Sequence, residues 1–172
     1  MHMRKLVFLV PLLVAGCSTV EPTGGAPMSL INAEGQPIGT IRAWQTPGGV
    51  TFRIDARGLP HGIHGIHVHP IGRCDPPDFA TAGTHWNPEG REHGLNNPKG
   101  PHAGDMPNVT VAANGVLQET VTLPHATLGQ LLDADGASIM IHANADDYVS
   151  QPAGNSGAKI ACAVIGPMTE IR

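Results

Sequence analysis

The chain has 172 residues, enough for one domain with a buried core, and 41% of them are hydrophobic against 14% charged, which excludes a disordered polymer. A formal net charge of −4 argues against nucleic acid as a partner. Aromatics are only 3%, while 22 glycines and 16 prolines favour short strands and structured loops, and 10 histidines are a first hint of metal chemistry.

The chain opens on a targeting pattern. Arg4 and Lys5 form a short positive region, and Leu6 to Ala15 form an apolar stretch interrupted only by Pro11. That stretch is too short to span a bilayer. It ends in Val14-Ala15-Gly16-Cys17, which resembles a bacterial lipobox, so residues 1–16 are expected to be a lipoprotein-type signal peptide and Cys17 to carry the lipid. Removing residues 1–16 takes away two basic residues and no acidic ones. Residues 17–27 read as a lipidated tether, small, polar and rich in Gly and Pro, and 28–172 as the folded domain. The expected location is the cell envelope, lipid-anchored and facing the periplasm or the exterior. With Cys17 so assigned, Cys74 and Cys162 remain, and export permits a disulfide between them. Two separate buried thiols are the alternative.

From Met28 onward, apolar and polar residues alternate at the period of strands, most clearly in Val50-Thr51-Phe52-Arg53-Ile54-Asp55-Ala56-Arg57. Strands are predicted near 28–33, 38–45, 50–57, 63–69, 108–113, 116–123, 138–143 and 159–165, with a short helix around 126–133. Glu34-Gly35, Pro47-Gly48-Gly49 and Asn114-Gly115 mark turns between them. Eight short antiparallel strands in one domain predict an all-β sandwich or barrel. Two long loops, 70–107 and 143–158, break the pattern. A structureless loop of the first length needs something to hold it, and that is where most of the histidines lie.

His67-Val68-His69 sits in the fourth predicted strand, where a spacing of two puts both imidazoles on one face and turns Val68 to the other. His85, His93, His102 and Asp105 follow within one loop, and three histidines with an aspartate suit a closed tetrahedral zinc site. Such a site would cross-link a loop too polar to fold by burial. His142 ends the apolar run Ser138-Ile139-Met140-Ile141; taken alone it reads as a strand-end histidine.

Taken together, the motifs Gly65-Ile66-His67-Val68-His69, Gly83-Thr84-His85-Trp86-Asn87-Pro88, Glu92-His93-Gly94, His102-Ala103-Gly104-Asp105, Ile141-His142-Ala143-Asn144-Ala145-Asp146-Asp147 and Ala161-Cys162-Ala163-Val164-Ile165-Gly166 resemble the bacterial Cu,Zn superoxide dismutase family in its lipoprotein form. The resemblance covers roughly 28–166 and implies an eight-stranded antiparallel Greek-key β-barrel. It implies copper on His67, His69, His85 and His142, and zinc on His85, His93, His102 and Asp105, with the His85 ring shared. Asp146 would link a copper histidine to a zinc histidine. Cys74 and Cys162 match the family's disulfide, and His64 a structural histidine; His61 and His125 have no match.

The implied activity is disproportionation of superoxide to oxygen and hydrogen peroxide by Cu(II)/Cu(I) cycling, with zinc structural and the His85 bridge exchanging a proton. The sequence departs from the family at Lys159, where an arginine usually stands at the mouth of the copper channel; lysine keeps the charge without the planar fork of donors. A non-catalytic copper- and zinc-binding lipoprotein on the same barrel would use the same ligands and stays open. So does a homodimer.

Overall fold

A computed structural model describes residues 25–166; the expected signal peptide and Cys17 lie outside the described residues. The strands run in chain order as β1 (Met28–Asn32), β2 (Pro37–Thr46), β3 (Gly49–Ala56), β4 (Gly62–His64), β5 (Ile66–His69), β6 (Val109–Val111), β7 (Leu117–Pro124), β8 (Ala137–His142) and β9 (Lys159–Ile165). One short helix, α1 (Leu128–Leu131), stands between β7 and β8, inside the predicted window. Thr127 and Gln130 cap it reciprocally, side chain to backbone in both directions.

Seven strands form one antiparallel sheet in the order β5-β8-β9-β1-β2-β3-β7, and β4 pairs with β6 in a second. The expected single strand over 63–69 is two strands, because the chain changes partner at Gly65: His64 pairs with Val109, whereas Ile66 pairs with Ile141. Gly65 itself bonds across to the far end of β8, its N–H donating to Asn144 O and its carbonyl accepting from His142 N–H, each at 2.8 Å. Any side chain there would crowd Ser156, His67 and Asp146. Counting β4 and β5 as one broken stave restores the expected eight. β6 runs into β7 through the predicted Asn114-Gly115 turn, where Ala112 N–H donates to Val116 O at 2.9 Å. Around the barrel the order is thus β1-β2-β3-β7-β6-(β4,β5)-β8-β9, and the crossings from β3 to β4 and from β7 to β8 are those of a Greek key.

Along β3, Val50, Phe52 and Ile54 are buried and Arg53 is exposed, as predicted, but Thr51 is buried as well, its hydroxyl 3.0 Å from that of Thr122 on β7. They meet Ile66, Val68, Val109, Leu117, Ile139 and Ile141 in one continuous core. Gly25, at the end of the predicted tether, is already held to the barrel, its N–H donating to Ala43 O at 3.0 Å. The two long loops stay loops, apart from one 3-10 turn at Ala80–Ala82. Cys74 bonds to Cys162, which ties the first loop to β9 across a separation of 88 residues. Phe79, Ala82 and Met140 are buried around that bond.

Candidate metal centre

β5 carries His67 and His69 with Ile66 and Val68 turned into the core, so the strand period delivers two fully buried imidazoles to one side. Pro70 follows at once and has no N–H to continue the ladder. β8 brings His142 to the same place at its last residue, where a register shift between Ile141 and His142 sets His142 opposite Lys159. The first loop adds His85, His93 and His102. Six imidazoles thus meet: the rings of His67 and His85 stack at 3.9 Å, and those of His85 and His93 stand 5.1 Å apart.

Hydrogen bonds decide which nitrogen of each ring carries a proton. A carbonyl can only accept, so His69 Nδ1 donates to Gly83 O at 2.9 Å and His142 Nδ1 donates to Gly157 O at 3.2 Å. A carboxylate likewise accepts: His67 Nε2 donates to Asp146 Oδ2 at 2.7 Å and His93 Nε2 donates to Asp146 Oδ1 at 3.0 Å. The other nitrogens of the His67, His69 and His142 rings therefore carry lone pairs, whereas His93 Nδ1 faces a second carboxylate, Asp105 Oδ2, at 3.0 Å. His67 Nδ1, His69 Nε2, His85 Nε2 and His142 Nε2 are buried with no hydrogen-bond partner. Four buried lone pairs without a donor are an expensive arrangement, and a cation is a group that satisfies several of them together. Four imidazoles suit copper. The ligand atoms of His67, His85 and His142 lie within 4.8 Å of one another. The predicted fourth ligand, His69, is not in that group, although its ring lies 5.3 Å from that of His85 and 6.0 Å from that of His142.

A second group, His85, His93, His102 and Asp105, lies beside the first, again with its ligand atoms within 4.8 Å of one another. His85 belongs to both: its Nδ1 is 2.8 Å from Asp105 Oδ1 while its Nε2 faces the other histidines. Asp105 Oδ1 is also 3.4 Å from His102 Nδ1, and Asp105 Oδ2 is 3.0 Å from His93 Nδ1. That carboxylate is itself held by the backbone N–H groups of Gly94 and His102, at 2.9 and 3.0 Å. Three imidazoles and one carboxylate suit zinc. His67, His93 and Asp146 also cluster, but both oxygens of Asp146 already accept ring N–H bonds, so this trio is a link between the two sites and not a third one.

Burial pushes the copper-side imidazoles down, His67 to about 4, His142 to about 3 and His69 to about 2, so all three are neutral at pH 7. Burial acts on His93 in the same sense, but the hydrogen bonds and charges of Asp105 and Asp146 outweigh it and raise His93 to about 9. Burial opposes ionisation of Asp105 and Asp146 too, yet their histidine and backbone partners hold both carboxyls well below the usual range.

A cavity of about 460 Å³ opens beside the first group, lined by His69, His85, His142, Ala153, Gly157 and Lys159 among others. Lys159 is half-buried there, its Nζ donating to Phe79 O and Gly83 O, both at 3.0 Å. Desolvation lowers the ammonium below its ordinary value while Asp78 opposes that shift. The predicted structural histidine, His64, is buried with its ring nitrogens 2.8 Å from His142 O and Pro60 O. His61 and His125 are exposed, as expected of unmatched residues.

Sequence reasoning missed three supports. Asn108 clamps the backbone of Asp146, accepting from its N–H at Oδ1 and donating from Nδ2 to its carbonyl, each at 2.9 Å. Gln151 clamps His93 in the same way. Gly154 has φ +62 and leaves room for Asp146, since a Cβ there would overlap Asp146 Oδ1.

Comparison with known proteins agrees with this geometry. The family model described as copper/zinc superoxide dismutase matches residues 38–165. Superoxide dismutase [Cu-Zn] 2 of Aquifex aeolicus is 45% identical over 142 residues, 79% of this chain and 83% of that protein. The superoxide dismutase-like protein YojM of Bacillus subtilis is 37% identical over 183 residues, covering 93% of each. The crystal structure of a SOD-like protein from Bacillus subtilis superposes with a TM-score of 0.79 at 40% identity, covering 83% of this chain and 99% of that one. The Cu/Zn superoxide dismutase of Brucella abortus gives 0.71 at 31% identity over 81% of this chain and 98% of that one. Copper and zinc are the metals this similarity implies for the two histidine groups. The chain belongs to the copper/zinc superoxide dismutase family.

Proposed function

We propose that the chain is a superoxide dismutase, converting two superoxide anions and two protons to oxygen and hydrogen peroxide. The observation that carries this reading is His85, whose two nitrogens face two different ligand groups. Copper held by His67 Nδ1, His69 Nε2, His85 Nε2 and His142 Nε2 would supply one-electron exchange, and zinc held by His85, His93, His102 and Asp105 would fix the shared ring.

The chain's own residues have separate tasks. Lys159 places a positive charge in the cavity wall, where it attracts and orients the anion. Its two backbone acceptors keep it from swinging away. His85 Nε2 is the ring atom that would take up and release a proton on the cavity side. Asp146 holds His67 and His93 in fixed tautomers, and Gly83 O and Gly157 O do the same for His69 and His142.

One observation favours a second reading, a barrel that holds the metals without turnover: a relative covering 93% of this chain bears the name superoxide dismutase-like. A superoxide assay on protein reconstituted with both metals separates the two, with His67→Ala as control. Turnover abolished by that substitution supports the enzyme; metal uptake without turnover supports the second reading. The same proposal anchors the domain to a membrane of the cell envelope through a lipid on Cys17, which mass spectrometry of the mature protein would detect.

A further inference from the structure

The two long loops meet at a contact that metal coordination does not itself require. His93, fully buried in the first loop, donates its backbone N–H to Gln151 Oε1 at 2.9 Å. Gln151 Nε2 donates back to His93 O at 2.9 Å, and also to Val149 O at 3.1 Å in its own loop. The residues are 58 apart in sequence, so this reciprocal pair is a tertiary clamp and not a local turn. Asn97 Nδ2 gives His93 O a second donor at 3.0 Å, whereas the His93 N–H has Gln151 as its acceptor. Immediately after Gln151, Pro152 and Ala153 line the cavity that holds His69, His142 and Lys159. One side chain therefore grips the backbone of a residue from the second ligand group, and its own backbone continues into the wall of the first group's cavity.

We propose that Gln151 is a positioning residue that fixes His93 for zinc and, through the same amide, sets the wall of the copper cavity at Pro152 and Ala153. Asp146 makes a parallel link between the side chains of His67 and His93, but it does not restrain the His93 backbone. The backbone clamp governs where the ring can aim Nδ1, and an imidazole displaced by a fraction of an ångström is a poorer ligand. The inference rests on the zinc assignment above.

The test uses the full chain with zinc alone and with Co(II) in its place, comparing wild type, Gln151→Ala and Gln151→Met. Methionine keeps the length and packing of glutamine but offers neither hydrogen bond. Zinc affinity, measured by chelator competition, should fall about 10- to 100-fold in both variants. The absorption of bound Co(II) should change band position or intensity, and azide affinity of the copper-loaded protein should shift. Zinc affinity within about threefold of wild type, with an unchanged Co(II) spectrum, would overturn the inference even if the metal-free variants were less stable. Should the alanine variant fail to fold, the methionine variant decides alone. Failure of wild type to bind zinc at these residues would remove the assignment itself, a result distinguishable from wild-type binding that the substitutions leave untouched.

Discussion

Lys159 and His69 share one acceptor: Lys159 Nζ and His69 Nδ1 both donate to Gly83 O, at 3.0 and 2.9 Å. The carbonyl that fixes the tautomer of one ligand therefore also fixes the ammonium at the cavity mouth. If that charge guides superoxide, Lys159→Ala should lower kcat/KM about tenfold at low salt and flatten its dependence on ionic strength. Copper content should not change, because Gly83 O still holds His69. Lys159→Arg should raise the rate constant, since a planar fork of donors orients a diatomic anion better than an ammonium. Pulse radiolysis across a salt series measures both. A Lys159→Ala protein as fast as wild type would mean that the residue does no steering.

Gly154→Ala should destabilise the metal-free protein by about 2–4 kcal/mol, combining a positive φ with a Cβ that overlaps the Asp146 carboxylate. The same change should disturb both metal groups, because Asp146 holds His67 and His93 together. Urea unfolding gives the first effect and metal content after dialysis the second.

Cys74→Ser combined with Cys162→Ser should cost at most about 4–5 kcal/mol, the value for releasing a loop of 88 residues in the chain-entropy model. Reductant should have the same effect on wild type and none on the variant. The loop so freed carries Gly83, so metal retention should weaken along with stability.

Protonation gives the metal-free protein a bounded pH range. His67, His142 and His69 have folded values of about 4, 3 and 2, below the ordinary 6.5, so the unfolded chain binds more protons in that window. Their contribution is present above pH 6.5 and is lost as pH falls toward 4 and below. His93 runs the other way: raised to about 9, it stabilises the fold below pH 6.5 and loses that effect as pH rises through 9. Zinc needs the His93 lone pair, so its binding releases one proton, and zinc affinity should climb by up to about tenfold per pH unit until about pH 9. Calorimetry in buffers of differing ionisation enthalpy counts that proton.

Much of the fold and of the site is legible in the sequence. The period-two pattern of β3 and the Asn114-Gly115 turn carry their own structural meaning, and both are where the pattern put them. His67 and His69 advertise themselves because a strand puts alternate residues on one side. The break at Gly65 was hidden, since a glycine between two apolar residues reads as strand until its neighbours choose different partners. Asn108 and Gln151 were hidden for another reason: each acts on a backbone far away in sequence, and no local spacing encodes such a bond. The metal ligands, and Asp146 between them, show in the sequence through motifs, whereas Asn108 and Gln151, which hold distant backbone, do not.

Anomalous diffraction at the copper and zinc edges, from crystals of protein loaded with both metals, tests the shared imidazole most directly. The account predicts copper on His67, His69, His85 and His142, zinc on His85, His93, His102 and Asp105, and one ring between them. A map in which His85 touched only one ion, or neither, would contradict it.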